Sequence, residues 1–320
     1  MKLSQGNVVE DLTRWQAAYI ANCRAKERSG RTLTIYQGVL EDLTEYCRQY
    51  QDEIGIEEIN RMLIANFFNE KAANAIKGFS SSSKSLYLTV IKQFLMFITE
   101  NNIDSIDLSK NLHKMTIKPD TKEKPSLMES DIESVLNTIA MLKKEGKRQF
   151  TTYRDSLLFK IPLYTGIRVE ELMNVHYRDL LRDDENEVFV ILIKGKGNKE
   201  RYAYLPIISV EDELDTLIAM GRPVEEAIAS TSWGEQLDRT HIYQALERLY
   251  KKSGISKKGV HILRHTLARR LVDKNVNLET IRDILGHTNI AITQKFYAKT
   301  QEKNKMAALK NNANGKQILP

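Results

Sequence analysis

Residues 258–266 read Lys-Gly-Val-His-Ile-Leu-Arg-His-Thr and open a segment that continues to Lys299. Spacings of three and four residues place His261, Arg264 and His265 on one face of a predicted helix, with the leucines of the segment facing the core. A guanidinium and two imidazoles on one face could bind a phosphate. Such a face is more often an ordinary solvated surface, so this pattern alone leaves both interpretations open.

The same segment continues with a Gly286-His287 pair and, ten residues after that histidine, with Tyr297. These residues add an imidazole and a phenol to the set, and a phenol can act as a nucleophile toward a bound phosphate. Other parts of the chain must supply any further groups that such chemistry requires.

Length and composition restrict the class of protein. A chain of 320 residues suffices for two domains, each with its own core. The formal net charge of +6 and the pI of about 9.0 favour an anionic partner only mildly. Cys23 and Cys47 form no CxxC pair and match no metal-ligand spacing, which predicts a reducing compartment and no metal site.

Signals for export or membrane insertion are also not apparent. The N-terminal residues lack the continuous apolar core of a secretory signal. Apolar runs such as residues 188–193 are far too short to span a bilayer. We therefore expect a cytoplasmic or nucleoid-associated protein with no membrane partner.

Apolar residues recur at helical spacing in four stretches of the first third of the chain. They predict helices at about 8–26, 32–50, 57–75 and 84–100. We therefore expect residues 1–114 to form one all-helical domain of four or five helices.

Four serines at positions 80–83 precede the last of these helices, and Lys84 follows them. Serine hydroxyls cap free backbone N–H groups at helix N-termini, and such a terminus can also hold a phosphate. The sequence leaves open both a DNA phosphate contact at Lys84 and a plain capped turn.

Residues 115–127 contain two prolines, alternating charges and few apolar side chains, a composition that is typical of a linker. A second domain is expected at 128–300. A polar tail follows at 301–320, and its first half could form a short helix. Because a linker lets two domains close around something between them, we expect a two-domain clamp.

The second domain combines helices with one β-type stretch. Residues 188–193 and 202–206 are predicted to form strands joined by a Gly-rich hairpin at 194–199. Helices are predicted after Arg168, near Glu211, and at about 130–144, 151–164, 239–252, 258–273, 278–285 and 291–298. The predicted fold class is therefore mainly α with a small antiparallel β-sheet.

Five boxes of the second domain, taken in order, resemble the tyrosine recombinase (phage integrase) family. Residues 165–172, Thr-Gly-Ile-Arg-Val-Glu-Glu-Leu, resemble its first arginine box, and residues 194–201, Lys-Gly-Lys-Gly-Asn-Lys-Glu-Arg, resemble the hairpin lysine segment of Xer-type members. The HxLRH box is matched at 261–266, the LGHxxI box at 285–290 and the nucleophile segment at 295–299. The N-terminal helices resemble the family's core-binding, SAM-like domain more weakly.

The resemblance implies a mixed α/β catalytic domain and a site-specific DNA recombinase that integrates, excises or resolves a mobile element or replicon. Members of the family attack a phosphodiester with a tyrosine, which gives a 3′-phosphotyrosine and a free 5′-hydroxyl. The 5′-hydroxyl of a second strand reverses the step, so that neither ATP, a metal nor another cofactor is required. The implied partners are a double-stranded recombination site and further copies of the chain, which form a homotetramer on two duplexes and exchange their tail helices.

The resemblance also assigns roles to the residues in the boxes. Arg168 and Arg264 would meet the charge on the non-bridging phosphate oxygens with their planar forks. Lys196, on the hairpin, would be the general acid that protonates the leaving 5′-oxygen. Tyr297 would be the nucleophile, and its unperturbed pKa near 10 means that it requires cationic neighbours.

Two histidines complete the implied catalytic set. His261 would accept the tyrosine proton or hydrogen-bond to the phosphate, and His287 would hold a phosphate oxygen. Tyr297 lies one residue farther from His287 than in most members of the family, with Phe296 in the usual position. It is the only tyrosine in this stretch of the sequence.

Supporting roles are implied for five other residues, each with a simpler alternative. Glu171 matches a family carboxylate and would orient a catalytic cation, or it would be a carboxylate on a helix surface. His265 would supply a supporting hydrogen bond, or it would merely pack. Lys194, Lys199 and Arg201 would touch the DNA backbone, or they would be ordinary hairpin charges.

Two alternatives to recombination share the implied fold. A DNA-binding architectural or regulatory protein would have lost the chemistry, and the presence of all six catalytic-type residues argues against it. A relaxing enzyme similar to type IB topoisomerases would share the chemistry but would act without tetramer-dependent strand exchange.

Overall fold

A computed structural model describes residues 1–3, 7–50, 53–76, 78–118, 125–195 and 200–286. The chain divides into two compact units, Met1–Lys122 and Glu123–Pro320. Helices predominate, and the second unit also contains a small antiparallel sheet. The predicted fold class, mainly α with a small antiparallel sheet, is confirmed. Among the described residues, no helix combines the length and the apolar character needed to cross a membrane.

The first unit is built from helices whose apolar faces meet in one core. These helices are α1 (Val8–Ala25), α2 (Gly30–Cys47), α3 (Arg61–Asn74) and α4 (Ser81–Asn101). The core that they enclose contains large buried side chains, among them Trp15, Leu40, Ile91 and Phe94. Burial of these apolar side chains gives the first unit its own hydrophobic stabilisation.

Ser80 caps the N-terminus of α4, as one interpretation of the serine run predicts. The Ser80 Oγ accepts a hydrogen bond from the backbone N–H of Ser83 at 3.1 Å. Lys84 lies half-buried in the first turn of the same helix. The capped turn is therefore confirmed, whereas a phosphate contact at Lys84 stays a prediction.

The second unit packs helices against one face of a three-stranded sheet. Its helices are α5 (Glu129–Glu145), α6 (Gln149–Thr165), α7 (Val169–Met173), α8 (Ile207–Ala219), α9 (Arg239–Lys252), α10 (His261–Asp273) and α11 (Leu278–Leu285). Its strands are β1 (Leu180–Asp183), β2 (Val188–Lys194) and β3 (Glu200–Pro206).

Both strand pairs of the sheet are antiparallel, in the order β1-β2-β3. Successive side chains of a strand point to opposite faces, so one face can be buried while the other is exposed. The buried face includes Ile191, Ile193, Ala203 and Leu205. The opposite face exposes Leu181, Leu192, Tyr202 and Tyr204 to solvent.

The third strand is a correction, because the sequence predicts only two strands in this sheet. Leu180–Asp183 forms β1 and pairs with β2 in a register that sets Leu181 opposite Val190. Because β1 lies at the edge of the sheet and its central residues are exposed, it carries no run of apolar side chains. Its charged residues therefore resemble a turn when only the sequence is considered.

The start of α10 also differs from the predicted position, since the helix begins at His261 and not at residue 258. Gly259 has a φ angle of +94°, in the left-handed region that a right-handed helix excludes. A Cβ atom at Gly259 would lie 3.3 Å from Cε1 of Tyr243. Gly259 thus ends the preceding loop, and His261 becomes the first residue of α10.

Candidate active site

Arg168 and Glu171 form the first pair of the site at the N-terminus of α7. The backbone N–H of Arg168 donates to Oε2 of Glu171 at 2.7 Å, and Nη1 of Arg168 donates to Oε1 at 2.8 Å. The short helix α7 therefore fixes the arginine at its cap by means of a carboxylate one turn later. The Arg168 side chain is 38% exposed, which leaves it accessible to a ligand.

Arg201 approaches the same carboxylate from strand β3. Its Nη1 lies 3.1 Å from Oε1 of Glu171, and its Nη2 lies 2.9 Å from Oε2. The side chain is only 15% exposed and shares the inner face of β3 with Ala203 and Leu205. The sequence predicts either a DNA-backbone contact or an ordinary hairpin charge for Arg201, whereas in this structure its guanidinium is directed inward to Glu171.

Arg264 supplies a third guanidinium from inside α10, where only 5% of the residue is exposed. Its Nη1 donates to the carbonyl oxygen of Gly166, and its Nη2 donates to the carbonyl oxygen of Leu285. Burial, and then the positive charge of Arg168, lower the pKa of Arg264 to about 9. The guanidinium therefore remains protonated at neutral pH.

The buried Glu171 remains a carboxylate because of the arginines around it. Burial alone acts to raise the pKa of Glu171, since desolvation disfavours the charged form. Hydrogen bonds from Arg201 and from the backbone of Arg168, together with the charges of both arginines, outweigh burial and lower this pKa below its usual value. Three guanidinium groups and one carboxylate thus leave this cluster with a net charge of +2.

The C-terminus of α11 completes the site, and all three arginines reach it. Nη2 of Arg168 donates to the carbonyl oxygen of Gly286 at 3.0 Å, beside the Arg264 bond to Leu285. Gly286 has a φ angle of +60°, and a Cβ atom there would lie 2.8 Å from Cδ and Nε of Arg201. Glycine at this position therefore permits both the left-handed helix cap and the close approach of the Arg201 side chain.

His261 lies at the first position of α10 and is exposed. Desolvation by neighbouring groups, and then the charge of Arg239, hold the pKa of His261 below its usual value of 6.5. Arg239 is itself held by Glu170, whose Oε1 lies 2.8 Å from Arg239 Nη1, and by the hydroxyl of Tyr243 at 3.2 Å from Nη2. The imidazole is thus neutral at pH 7 and able to accept a proton.

Arg239 and the inward orientation of Arg201 are the two features that sequence reasoning missed. Arg239 begins α9, far from the five boxes in the sequence, and no spacing connects it with them. The inward orientation of Arg201 could have been predicted, because alternate residues of a strand lie on the same face and Arg201 alternates with the apolar residues Ala203 and Leu205.

Of the remaining predicted site residues, the structure describes His265, Lys194 and Lys84. His265 is half-buried in α10, and Lys194 is exposed at the end of β2. Lys84 belongs to the first unit. Lys196, Lys199, His287 and Tyr297 lie outside the described residues.

A cluster with this composition is suited to binding an oxyanion. Guanidinium groups match the geometry of phosphate oxygens, and fixed cations meet charge that develops during a reaction. Among residues 1–286 as far as they are described, no group of three or more His, Cys, Asp or Glu side chains could hold a metal ion. The described site therefore offers cationic groups as its means of stabilising a phosphate.

Comparison with known proteins finds recombinases and integrases that are similar to this chain in sequence and fold. Tyrosine recombinase XerH of Campylobacter jejuni is 26% identical over 285 residues, which cover 86% of this chain and 77% of that protein. A solved structure of XerH bound to palindromic difH substrate in a post-cleavage complex has a TM-score of 0.78 at 20% identity and covers 96% of this chain and 98% of that one. A lambda integrase tetramer bound to a Holliday junction has a TM-score of 0.64 at 18% identity, and the match covers 89% of this chain and 76% of that one. At these identities the two structures show a shared fold.

The sequence profile of the phage integrase family matches residues 125–303, more than half of the chain. The matched range contains the whole arginine cluster together with the positions of Lys196, His287 and Tyr297. The chain therefore belongs to the phage integrase family of tyrosine recombinases, enzymes that transfer DNA strands.

Proposed function

We propose that this chain is a site-specific DNA recombinase that cuts and rejoins DNA through a 3′-phosphotyrosine intermediate, in the integration, excision or resolution of a mobile element or replicon. The observation that carries the proposal is the convergence of Arg168 and Arg264 on the end of α11 and its cap, at Leu285 and Gly286. This convergence brings two guanidinium groups to the chain position directly before His287.

The charge of the site matches the charge of the proposed reaction. A tyrosinate and a phosphodiester together carry two negative charges, and the arginine cluster carries a net charge of +2. Arg168 and Arg264 would hold the two non-bridging oxygens, where the charge increases as the fifth bond to phosphorus forms. Removal of either arginine should therefore slow the chemical step more than it weakens DNA binding.

The bonds and protons balance without an external reactant. The oxygen of Tyr297 forms a bond to phosphorus while the bond from phosphorus to the 5′-oxygen breaks. His261 accepts the phenol proton, and Lys196 donates a proton to the departing 5′-oxygen. His287 holds a phosphate oxygen throughout, and attack by the 5′-hydroxyl of another strand reverses each transfer.

The remaining predicted residues have supporting roles in this proposal. Glu171 orients Arg168, and His265 braces α10. Lys84, Lys194 and Lys199 contact the DNA backbone, which contributes affinity without sequence readout.

The domain assignment and the assembly belong to the same proposal. Residues 1–114 act as the core-binding domain, 115–127 as the linker and 128–300 as the catalytic domain. Four copies act on two duplexes, and the tail at 301–320 packs on a neighbouring copy. The shared fold with the lambda integrase tetramer supports this assembly.

A nicked suicide substrate that carries the recombination site tests the chemistry. We expect the wild-type chain to become covalently attached to DNA, whereas Tyr297→Phe binds the same DNA and forms no adduct. Phe296→Tyr in the Tyr297→Phe background is the matched control, and we expect it to form no adduct either. Recovery of the adduct in this double variant would assign the nucleophile to position 296.

The same assay distinguishes the proposal from its alternatives. Tight binding of the wild-type chain without any adduct would identify an architectural DNA-binding protein. Sedimentation of the protein–DNA complex measures the assembly, and four chains on two duplexes are expected. Relaxation of supercoiled DNA by a single bound chain, without strand exchange, would instead identify a relaxing enzyme.

A further inference from the structure

Arg201 has an unusual position for a hairpin arginine next to a DNA-binding site. Both of its terminal nitrogens donate to Glu171, at 3.1 Å and 2.9 Å. Its Nε is buried and has no hydrogen-bond partner among the described residues, and Gly286 packs directly against it. The guanidinium is therefore committed to the interior of the site.

Glu171 connects Arg201 with Arg168, because each of its oxygens serves both arginines. Oε1 accepts from Nη1 of Arg168 and Nη1 of Arg201, and Oε2 accepts from the Arg168 backbone and Nη2 of Arg201. The carboxylate cannot move toward one arginine without losing bonds to the other. Since Arg201 extends from a paired strand of the sheet, it gives Glu171 a fixed reference point.

We propose that Arg201 is a positioning residue, which acts through Glu171 to set the orientation and the available charge of Arg168, and not a contact to the DNA backbone. The inference rests on the proposed function, because Arg168 has to hold the scissile phosphate for its orientation to matter. It replaces both alternatives that the sequence leaves open for Arg201, a contact to the DNA backbone and an ordinary hairpin charge.

The physical reason is a competition for Arg168. Without Arg201, the buried carboxylate of Glu171 would have Arg168 as its remaining cationic partner in the pairs described here. Arg168 would then be drawn to Glu171 and would neutralise a carboxylate instead of a phosphate. The net charge of the cluster would fall from +2 to +1 at the same time, which mismatches the two negative charges of the reaction.

Lys194 provides a matched control on the preceding strand. Its side chain is exposed at the end of β2, opposite Glu200 in the sheet register, and it takes no part in the Glu171 contacts. Arg201→Met and Lys194→Met each remove one positive charge and keep a long apolar stem. Only the first of these variants should affect Arg168.

The test measures single-turnover cleavage of two suicide substrates, one with an ordinary scissile phosphodiester and one with a methylphosphonate, which lacks one negative charge. We expect Arg201→Met to slow cleavage of the phosphodiester by about 100-fold, the scale for loss of one fixed oxyanion contact. On the methylphosphonate, its rate should come within about tenfold of the wild-type rate, because the reaction then carries one charge less. Lys194→Met removes a proposed contact to the DNA backbone, so it should weaken DNA binding and slow cleavage by the same factor on both substrates.

Arg168→Ala separates failure of this inference from failure of the proposed function. Suppose that the methylphosphonate brings the cleavage rate of Arg168→Ala close to the wild-type rate, while Arg201→Met cleaves both substrates equally slowly. The positioning role is then wrong and the proposed function stands. If the cleavage rate of Arg168→Ala also stays low on the methylphosphonate, Arg168 does not stabilise the negative charge of the phosphate and the proposed role of the site fails.

Salt dependence supplies a readout that only a DNA contact would change. Each phosphate contact contributes about 0.9 to the slope of log K against log salt concentration. We expect Arg201→Met to keep the wild-type slope, and a slope lower by about 0.9 would restore the backbone role and overturn the inference.

Arg201→Lys keeps the test decisive if Arg201→Met unfolds, as thermal melting would show. The lysine retains the charge but cannot donate with two nitrogens to both oxygens of Glu171. We expect its cleavage defect to be smaller than that of Arg201→Met and again to shrink on the methylphosphonate. A wild-type cleavage rate for Arg201→Lys would contradict the positioning role, because the lysine keeps the charge but loses the paired donation to Glu171.

Discussion

Arg264 donates a hydrogen bond to the carbonyl oxygen of Leu285, the last residue of α11, from a position buried within α10. A second bond from the same guanidinium reaches the carbonyl oxygen of Gly166, just before α7. A helix C-terminus carries partial negative charge on its free carbonyl groups, and a buried cation there is favourable. One side chain thus joins three separate segments at the site.

Replacement of Arg264 by lysine should be costly although the charge is kept. A lysine ammonium is a point charge and cannot bridge the two carbonyl oxygens in the fixed fork geometry of arginine. We expect Arg264→Lys to lower the unfolding free energy by about 1–3 kcal/mol, the cost of an unsatisfied buried polar group. Chemical denaturation measures this change, and Arg269→Lys on the exposed side of α10 is the control that should remain near the wild-type value.

Gly166→Ala should destabilise the second unit by two separable effects. Gly166 has a φ angle of +67°, and a Cβ atom there would lie 2.6 Å from Cδ2 of Leu285. Gly221 has a φ angle of +79° with no atom within 4 Å of such a Cβ, so Gly221→Ala measures the backbone effect alone. We expect about 1–2 kcal/mol for Gly221→Ala and about 1–3 kcal/mol more for Gly166→Ala. Equal losses in denaturant titrations would show that the contact with Leu285 relaxes without cost.

The cleavage rate should fall on acidification because of His261. Its pKa is held below 6.5, so the imidazole is neutral and able to accept the phenol proton at pH 7, and protonation at lower pH removes this ability. The single-turnover rate should therefore decrease by about tenfold per pH unit below the pKa of His261. Arg239→Met removes a charge that lowers this pKa and should shift the decrease to higher pH. An unchanged acid limb in His261→Gln would assign the limb to another group.

Glu213 makes the stability of the second unit dependent on pH. It is 1% exposed in α8, and its Oε1 accepts from Lys143, from Lys160 at 2.6 Å and from Ser156 at 2.7 Å. Burial acts to raise its pKa, but the hydrogen bonds from Lys143 and Lys160 outweigh burial and lower it below 4.5. The folded-state pKa is thus below the unfolded one, so this stability is complete above about pH 5 and is lost as the pH falls through the folded-state value.

Glu213→Gln should remove this pH-dependent contribution. We expect a loss of about 3–5 kcal/mol at pH 7, the cost of breaking a buried ion pair, and a smaller difference from the wild type at pH 3. The Glu211 side chain on the same helix is 42% exposed and pairs with Arg182, and Glu211→Gln should cost less than about 1 kcal/mol at either pH. A constant difference between Glu213→Gln and the wild type across this range would exclude ionisation as the cause.

Helices with strong apolar periodicity could be predicted from sequence closely. The bounds of α9 agree at both ends, because Ile242, Leu246 and Leu249 recur on one face and Asp238 caps the helix. The sequence predicts the start of α3 four residues early, because a single turn of 3-10 helix at Ile56–Glu58 continues the apolar pattern ahead of it. Local periodicity does not distinguish these two kinds of helix.

The contacts of the site were less predictable than its residues. The boxes contain Arg168, Glu171 and Arg264, but the two arginines also donate to backbone carbonyls far away in sequence, and Glu171 accepts from the distant Arg201. Carbonyl oxygens are present at every position, so no residue pattern indicates which of them a guanidinium will reach. Strand parity could have shown the inward direction of Arg201, but its pairing with Glu171 depends on tertiary packing.

The bond from Arg168 to the carbonyl oxygen of Gly286 also fixes the origin of a covalent tether. Tyr297 follows eleven residues after Gly286, and an extended chain spans about 3.5 Å per residue, so the phenol stays within about 40 Å of the arginine cluster. If Tyr297 is the nucleophile, as proposed, this confinement gives it an effective concentration in the millimolar range, which depends on tether length and not on binding affinity. In the proposed function, adding or removing residues after Gly286 would therefore change the rate of strand cleavage and leave the arginine cluster itself unaltered.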